Sequence, residues 1–349
     1  MNDNFDRYHR QMLLPGFGED GQRRLQDATV LLLGCGALGS VAADLLSRAG
    51  VGHLVIVDRD VVEATNLQRQ VLFDEQDVAT GMPKAAAAQR HIARTNSQVR
   101  VTAIVDDLNH TNIGRFADGA DLLLDGLDNL ETRYLANDLA VERGIPYVYG
   151  AAVGTTGMAY TVVPAGDAAT ACLRCLFEEP PPAGTMPTCD TVGVLATTIT
   201  TIASYQVGET LKILTGNADQ LSRRMLHVDV WHNEHYQLDA ARNDDCPCCG
   251  QRRFDYLAGR AGSSAAVLCG RDAVQLRHRQ PGEVVDLGGV AARLGGVGEV
   301  SVNEFLLRAD ISDGDKPYEI TLFSDGRAII RGTQEPDVAR GIYSKYVGT

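Results

Sequence analysis

The sequence predicts an α/β fold: a mostly parallel sheet with helices on both faces, an antiparallel extension of that sheet, and a small C-terminal α+β domain. Short apolar runs alternate with helical stretches through the first 150 residues, and a glycine-rich loop joins the first run to the first helix. A glycine- and serine-containing stretch near residue 260 then separates a second group of short elements. We therefore expect a first domain over residues 1–252, a linker over 253–264 and a second domain over 265–349.

The elements of the first domain follow in order from hydrophobic periodicity. Apolar and β-branched runs predict strands, and apolar residues at helical spacing predict helices. The predicted strands of the parallel part are Thr29–Leu33, His53–Val57, Val99–Val105, Asp121–Leu124 and Tyr147–Tyr149, and its helices are Ala37–Ala49, Pro83–Thr95 and Leu130–Arg143. The antiparallel extension is predicted from strands Met158–Val163, Met225–Val230 and His235–Leu238 and from a long helix Val194–Leu214.

The second domain shows the same two kinds of pattern on a smaller scale. Its predicted strands are Ala265–Leu268, Glu299–Val302, Phe305–Ala309, Tyr318–Phe323 and Ala328–Ile330, and its predicted helices are Leu287–Leu294 and Pro336–Tyr346. This mixture of strands and helices without strict alternation is typical of an α+β domain.

The glycine loop indicates a Rossmann-like nucleotide site. Gly34 permits a tight turn, Gly36 lets the backbone approach a phosphate, and Gly39 lets helix and strand pack closely. The following helix offers free N–H groups to an anion. Asp58 ends the next strand, 19 residues beyond Gly39, where an acidic residue can reach ribose hydroxyls.

The polar residues that follow favour triphosphate cleavage over hydride transfer. Cations offset the charge that gathers on a leaving pyrophosphate, and a carboxylate can hold Mg²⁺. Hydride transfer needs a positioned nicotinamide more than clamped phosphates, although an NAD-dependent oxidoreductase shares the glycine loop. The residues of this polar set are Asp60, Asn66, Arg69, Lys84 and Asp128.

The cysteines predict a metal centre. Cys172 and Cys175 form one C-x-x-C pair, and Cys246 and Cys249 form another, which is the spacing of a tetrahedral Cys₄ zinc site. Four thiolates leave zinc no open position, so we interpret the site as structural. Cys248 lies inside the second pair, and from the sequence either Cys248 or Cys249 is an acceptable ligand.

Cys189 belongs to neither pair. It follows the proline-rich segment 178–184, which cannot form a regular helix, and precedes the predicted long helix. A loop position at a helix N-terminus would lower the pKa of its thiol and suit covalent chemistry, whereas a buried thiol without a chemical role is the alternative. Cys35 and Cys269, which have apolar or glycine neighbours, are interpreted as packing residues.

Composition favours a cytoplasmic enzyme. The 349 residues carry a net charge of −13, which disfavours nucleic acid as a partner. No apolar run approaches the roughly 20 residues of a membrane span, so a membrane partner is not expected either. Cysteines grouped as metal ligands are typical of a reducing compartment.

Taken together, these motifs resemble the E1-like adenylyltransferases of the MoeB, ThiF and HesA family. The resemblance covers about residues 5–250. It is carried by Arg7-Tyr8-His9-Arg10-Gln11, the glycine loop 34–39, Asn66-Leu67-Gln68-Arg69-Gln70, Gly81-Met82-Pro83-Lys84, Leu127-Asp128-Asn129, Thr188-Cys189-Asp190 and the two cysteine pairs.

The resemblance implies ATP-dependent adenylation of the C-terminal glycine carboxylate of a ubiquitin-like sulfur carrier that ends in Gly-Gly. It places ribose binding at Asp58 and Asp60, phosphate contacts at Asn66, Arg69 and Lys84, and a Mg²⁺-linked carboxylate at Asp128. Arg10 would reach the triphosphate of a neighbouring subunit, which implies a homodimer. Cys189 would take part in thioester or acyl-persulfide chemistry, with a cysteine desulfurase or a rhodanese as sulfur donor.

Three alternatives stay open at this point: an NAD-dependent oxidoreductase, an E1-like enzyme that acts on a small molecule or a tRNA group, and a zinc scaffold that keeps nucleotide binding without catalysis. The second domain differs from a rhodanese domain because Cys269 comes early in it. We expect it to be either a docking module or a structural cap.

Overall fold

The computed structural model describes residues 5–179, 192–261, 267–268, 273–277, 285–313 and 316–347. The chain forms two compact units, Met1–Gly262 and Ser263–Thr349.

The first unit is built on one mixed sheet of eight strands. Its strands are β1 (Thr29–Leu33), β2 (His53–Val57), β3 (Arg100–Ile104), β4 (Leu122–Asp125), β5 (Tyr147–Val153), β6 (Thr156–Val162), β7 (Arg224–Asp229) and β8 (Glu234–Asp239). Their order across the sheet is β3-β2-β1-β4-β5-β6-β7-β8. The pairs from β3 to β5 are parallel and those from β5 to β8 antiparallel. The predicted fold class is thus confirmed.

Helices surround this sheet. They are α1 (His9–Met12), α2 (Gly18–Asp27), α3 (Ala37–Ala49), α4 (Glu75–Ala79), α5 (Lys84–Thr95), α6 (Ile113–Phe116), α7 (Leu130–Arg143), α8 (Leu173–Leu176) and α9 (Ala196–Leu214). Short 3₁₀ turns lie at Asp6–Tyr8, Ala64–Asn66 and Ala218–Gln220. None of the helices in the described ranges has both the length and the apolar character that a membrane crossing requires.

The central strand explains why the sheet is covered on both faces. Val30 and Leu32 of β1 belong to one apolar core, while Leu31 and Leu33 belong to the other, and all four are fully buried. A strand buried on both faces reads as a continuous apolar run, which is the pattern seen in the sequence. Because β1 is parallel to both β2 and β4, the carboxyl ends of the three strands lie at the same edge of the sheet.

The helix α9 begins two residues later than predicted. Val194 pairs with Gly154 in a parallel bridge, and the Leu195 N–H donates to the Gly154 carbonyl at 2.9 Å. These contacts hold the chain extended until Ala196, where the helix begins.

In the part of the second unit that the structure describes, six strands form an antiparallel sheet and two helices accompany it. Its elements are β9 (Val267–Leu268), β10 (Ala273–Arg277), α10 (Leu287–Leu294), β11 (Gly298–Val302), β12 (Leu306–Asp313), β13 (Lys316–Phe323), β14 (Arg327–Arg331) and α11 (Pro336–Tyr346). The strand order is β11-β12-β13-β14-β10-β9. Strand β10 was not predicted, because only Val274 and Leu276 alternate within it; its pairing with β14 defines it.

The segment expected to be a linker differs from that expectation over its first part. Tyr256 is 9% exposed, and its ring stacks on Tyr134 with centroids 5.0 Å apart. The Tyr256 N–H donates to the Asp138 carboxylate at 2.9 Å. Residues 253–261 therefore belong to the first unit, because an aromatic ring buried in its core fixes them there.

Candidate active site and metal centre

The glycine loop forms an open cradle between β1 and α3. Gly34 has φ of +87°, and a Cβ there would lie 2.7 Å from the Gly126 carbonyl oxygen. A Cβ at Gly39 would lie 2.2 Å from the Gly34 carbonyl oxygen, so neither position accepts a side chain. A Cβ at Gly36 would meet nothing closer than 3.9 Å. The space over Gly36, at the N-terminus of α3, can therefore admit a phosphate.

Asp58 ties the end of β2 to this loop. One carboxylate oxygen, Oδ2, accepts from the Cys35 N–H at 2.6 Å, and the other, Oδ1, accepts from the Asp60 N–H at 2.7 Å. Burial raises the pKa of Asp58, while the ammonium of Lys84 opposes that shift. Asp58 thus lies where the sequence expects the ribose-binding acid.

Lys84 and Asp60 form a mostly buried ion pair beside Asp58. The Lys84 Nζ lies 2.9 Å from the Asp60 Oδ2, and the Lys84 side chain is 4% exposed. Lys84 is the first residue of α5, and its backbone N–H donates to the Asp60 carbonyl at 2.9 Å. The structure therefore brings Lys84 next to Asp58 and Asp60, which precede it by more than 20 positions in the sequence.

Asn66, Arg69 and Gln70 lie on the turn after β2. The Asn66 Oδ1 accepts from the Glu63 N–H at 3.0 Å, and the Arg69 Nη1 donates to the Thr65 carbonyl at 2.7 Å. Gln70 is 3% exposed, and its Oε1 has no hydrogen-bond partner within the described residues. Its Nε2 is the side-chain atom closest to the space over Gly36.

Asp128 lies on the loop after β4, and its side chain is exposed. The loop ends at Asn129, whose side chain caps α7 by accepting from the Thr132 N–H at 2.9 Å. Because β1 and β4 are neighbours, this loop meets the glycine loop where Gly126 approaches Gly34. That junction is the topological switch point of the sheet, where open α/β folds bind ligands.

A buried ion pair that the sequence analysis missed supports this loop. The Arg133 Nε donates to the Asp125 Oδ2 at 3.1 Å, and the Tyr147 hydroxyl donates to the same oxygen at 2.7 Å. The Arg133 Nη2 also donates to the carbonyls of Leu127 and Gly150, at 2.7 and 2.9 Å. The sequence did contain a sign of this pair: Asp125 ends an apolar strand, and Arg133 follows eight positions later.

The protonation of this pair follows from its surroundings. Burial raises the pKa of Asp125, and Arg133 opposes that shift. Burial by itself lowers the pKa of the Arg133 guanidinium, but the Asp125 carboxylate together with the smaller contributions of Tyr149, Tyr147 and Asp128 gives a net rise. Gln206 of α9 adds a hydrogen bond from its Nε2 to the Asp125 carbonyl at 2.8 Å.

Arg10, a predicted catalytic residue, does not join this cluster within one chain. Arg10 lies on α1, is exposed, and forms no side-chain hydrogen bond or ion pair within the part of the chain that the structure describes. Cys189 lies outside the described residues.

Four cysteines form the candidate metal centre. The sulfur atoms of Cys172, Cys175, Cys246 and Cys249 all lie within 4.8 Å of one another. Three of their separations are 3.9 Å (Cys172–Cys175), 3.6 Å (Cys172–Cys246) and 3.4 Å (Cys175–Cys249). Zn–S bonds of about 2.3 Å in a tetrahedron place sulfurs about 3.8 Å apart, so this quartet fits zinc.

Cys248 stands outside the quartet. Its sulfur accepts from the Asn137 Nδ2 at 3.3 Å. Burial raises the pKa of the neighbouring Asp138 to about 6, and the hydrogen bonds that its carboxylate accepts from the Leu257 and Tyr256 N–H groups oppose the shift. The geometry thus selects Cys249, between the two alternatives that the sequence left open, as the member of the four-sulfur cluster.

The glycine loop lies at the switch point of a sheet that is covered by helices on both faces, and it can admit a phosphate. This arrangement defines a nucleotide-binding protein of the Rossmann-like class. The sequence profile of the ThiF family matches residues 8–248, and the chain belongs to that family. The resemblance stated from the motifs is thereby confirmed.

The chain is similar to named relatives over most of its length. It is 42% identical to the sulfur carrier protein ThiS adenylyltransferase of Bacillus subtilis (strain 168), over 98% of this chain and 99% of that protein. It is 39% identical to the SAMP-activating enzyme E1 of Haloferax volcanii, over 72% of this chain and 91% of that protein. A crystal structure of E. coli MccB with MccA-N7isoASN has the same fold, with a TM-score of 0.62 and 23% identity, over 71% of this chain and 75% of that one.

Proposed function

We propose that this protein uses ATP to adenylate the C-terminal glycine carboxylate of a ubiquitin-like sulfur carrier of the ThiS or MoaD type, with release of pyrophosphate. The observation that carries the proposal is the open cradle over Gly36, which Gly126 of the Asp128 loop adjoins and which Asp58 and Asp60 connect to Lys84. The similarity to a ThiS adenylyltransferase along nearly the whole chain supports the choice of substrate.

ATP binds in this proposal with its phosphates over Gly36, where the N-terminus of α3 offers unpaired N–H groups. The ribose hydroxyls bind Asp58 and Asp60. Each oxygen of the Asp58 carboxylate accepts one backbone N–H, and a carboxylate oxygen can accept a second hydrogen bond. Asp58 can therefore hold the loop and the ribose together.

The reaction is a displacement at the α-phosphorus. The carrier carboxylate attacks that phosphorus, a P–O bond to the carrier forms, and the bond to the departing pyrophosphate breaks. Lys84, Arg69 and Asn66 stabilise the charge on the phosphates. A general base is not needed, because the attacking carboxylate is already ionised near neutral pH.

Asp128 suits a Mg²⁺ ligand, because its carboxylate is exposed at the crevice and hard cations prefer such oxygens. When bound there, Mg²⁺ would neutralise phosphate charge and orient the triphosphate.

Arg10 acts in the site of a second copy of the chain in this proposal. Its helix α1 is followed by Leu13 and Leu14, which are 69% and 58% exposed. Exposed apolar side chains next to an exposed arginine suit an interface between protein chains. The active protein is therefore proposed to be a homodimer with two composite sites.

The cysteine quartet is proposed to bind one structural Zn²⁺. Cys189 is proposed to attack the acyl adenylate of the carrier, with AMP as the leaving group. Its thiolate would form a thioester, and a Cys189 persulfide, charged by a cysteine desulfurase or rhodanese as sulfur donor, would form an acyl persulfide. All residues assigned to the adenylation site itself lie in residues 1–252.

The deciding experiment is ATP:pyrophosphate exchange with a panel of carriers that end in Gly-Gly. We expect exchange with one carrier, and its loss in Asp128→Asn protein that still folds and binds zinc. If dimeric, zinc-loaded protein shows exchange with none of the carriers, the proposed substrate is wrong. That result would favour a small molecule or a tRNA group as the substrate.

A further inference from the structure

Helix α7 carries polar side chains at intervals of one turn along a single face. Asn129, Arg133 and Asn137 are each four positions apart, so their side chains lie above one another. Asn129 caps the helix and Arg133 binds the loop of Asp128. Asn137 is the third member of this row, and none of the proposed chemistry uses it.

Asn137 connects the two cysteine pairs. Its Oδ1 accepts from the Leu173 N–H at 2.8 Å, next to Cys172 in the first pair. Its Nδ2 donates to the Cys248 sulfur at 3.3 Å, inside the second pair. A single amide thus bonds to two segments that are more than 70 residues apart in the sequence.

Asn137 is buried, which indicates that its role is to form these two hydrogen bonds. The residue is fully buried, and a buried amide without partners would be strongly unfavourable. An apolar residue would fill the same space without the free-energy cost of burying a polar group. Cys248 in turn lies in the chain between Cys246 and Cys249, which are two of the four clustered cysteines.

We infer that Asn137 is a positioning residue for the metal centre, with Cys248 as its acceptor thiol instead of a fifth ligand. The amide holds the two cysteine pairs at tetrahedral spacing, so the four sulfurs are brought together before a metal binds. The inference rests on the proposed zinc site and is independent of the adenylation reaction.

The test uses the full-length protein loaded with zinc. We would measure the rate of zinc transfer to a chromogenic chelator, and the visible absorption of the cobalt-substituted protein, for Asn137→Ala and Cys248→Ala. Asn96→Ala is the matched control: Asn96 is also fully buried and bonded through its amide, to the Tyr8 hydroxyl and the Ser47 carbonyl.

Loss of a residue that orients metal ligands typically weakens metal binding by about 10- to 100-fold. We expect zinc release from Asn137→Ala to accelerate on that order. Cys248→Ala should keep one zinc, release it faster than the wild type but more slowly than Asn137→Ala, and keep a tetrahedral tetrathiolate cobalt spectrum. Asn96→Ala should release zinc at the wild-type rate, even if its thermal stability falls.

Wild-type release rates in both Asn137→Ala and Cys248→Ala would overturn the inference. Equal acceleration by Asn96→Ala would also overturn it, because the effect would then reflect general loosening. If Asn137→Ala does not fold, the comparison of Cys248→Ala with the wild type decides. If the wild-type protein binds no zinc, both the proposed metal site and this inference are wrong. The proposed adenylation is tested separately, by ATP:pyrophosphate exchange.

Discussion

The guanidinium of Arg133 and the carboxylate of Asp125 form a buried ion pair that spans the loop carrying Asp128. Their Nε and Oδ2 atoms are 3.1 Å apart, and the side chains are 9% and 0% exposed. Because the pair joins the end of β4 to the first turns of α7, it fixes both ends of the intervening loop. The position of Asp128 therefore depends on two residues that touch neither ATP nor carrier in the proposed reaction.

Arg133→Met should destabilise the first unit strongly. Removing one partner of a buried pair leaves an uncompensated charge, which costs about 3–5 kcal/mol in the free energy of unfolding. Urea unfolding measures the change. Arg143→Met is the control on the same helix, because Arg143 pairs with the exposed Asp118 and an exposed pair contributes about 1 kcal/mol or less. Equal losses in the two variants would contradict the importance of the buried pair.

Asp128→Asn should leave folding intact and remove adenylation. The side chain is exposed, so we expect little change in unfolding. Loss of a group that stabilises transition-state charge typically lowers turnover by about 100- to 1,000-fold. Pyrophosphate exchange measures the effect, and Glu131→Gln, three residues further on, is the charge-matched control. Near-normal exchange by Asp128→Asn would be incompatible with the proposed role.

Arg69→Ala should likewise reduce pyrophosphate exchange, on the order of 100-fold, because a phosphate contact is lost. Arg94→Ala removes an exposed arginine from α5 and should leave exchange unchanged. If the two variants behave alike, Arg69 is only a surface charge. Circular dichroism would confirm that both proteins keep their secondary structure.

Zinc content should separate the two adjacent cysteines. Cys249→Ala removes one sulfur of the quartet, and we expect it to lose zinc and much of its thermal stability, since metal binding and folding are coupled. Cys248→Ala should retain one zinc per chain. Elemental analysis of the purified variants gives the answer, and the opposite pattern would assign the ligand to Cys248.

The turn between β7 and β8 should contribute a pH-dependent stability. His232 Nδ1 lies 2.9 Å from Asp229 Oδ2; the hydrogen bond from His232 lowers the pKa of Asp229 to about 2, and Asp229 raises the pKa of His232. The Asp229 contribution is present above about pH 4 and is lost as the pH falls toward 2. The His232 contribution is present below about pH 6.5 and is lost as the pH rises through its raised pKa.

The thermal stability of His232→Gln relative to the wild type tests this pair. The deficit of the variant should be largest between about pH 4 and 6.5 and should shrink at either extreme. It should also decrease with added salt, because His232 is 63% exposed. A deficit that does not vary with pH would show that the pair contributes nothing electrostatically.

Local patterns in the sequence determined much of the first unit. Helices α3 and α7 begin and end at the predicted residues, and strands β1 and β2 match their predicted bounds. The glycine loop and the two cysteine pairs were also identified from the sequence alone. Each of these features depends on residues only a few positions apart, so periodicity and spacing are sufficient to reveal them.

The tertiary structure decided the features that depend on partners distant in the chain. Pairing with β14 defines β10, and stacking on Tyr134 places Tyr256 in the first unit. The Asn137 amide bonds to Cys248, while Cys249 lies in the quartet. The Asp125–Arg133 pair is close in sequence, but Tyr147 and Gly150 complete its surroundings. Such contacts exist only once the sheet has assembled, because burial and hydrogen-bond geometry, unlike hydrophobic periodicity, are properties of the packed chain.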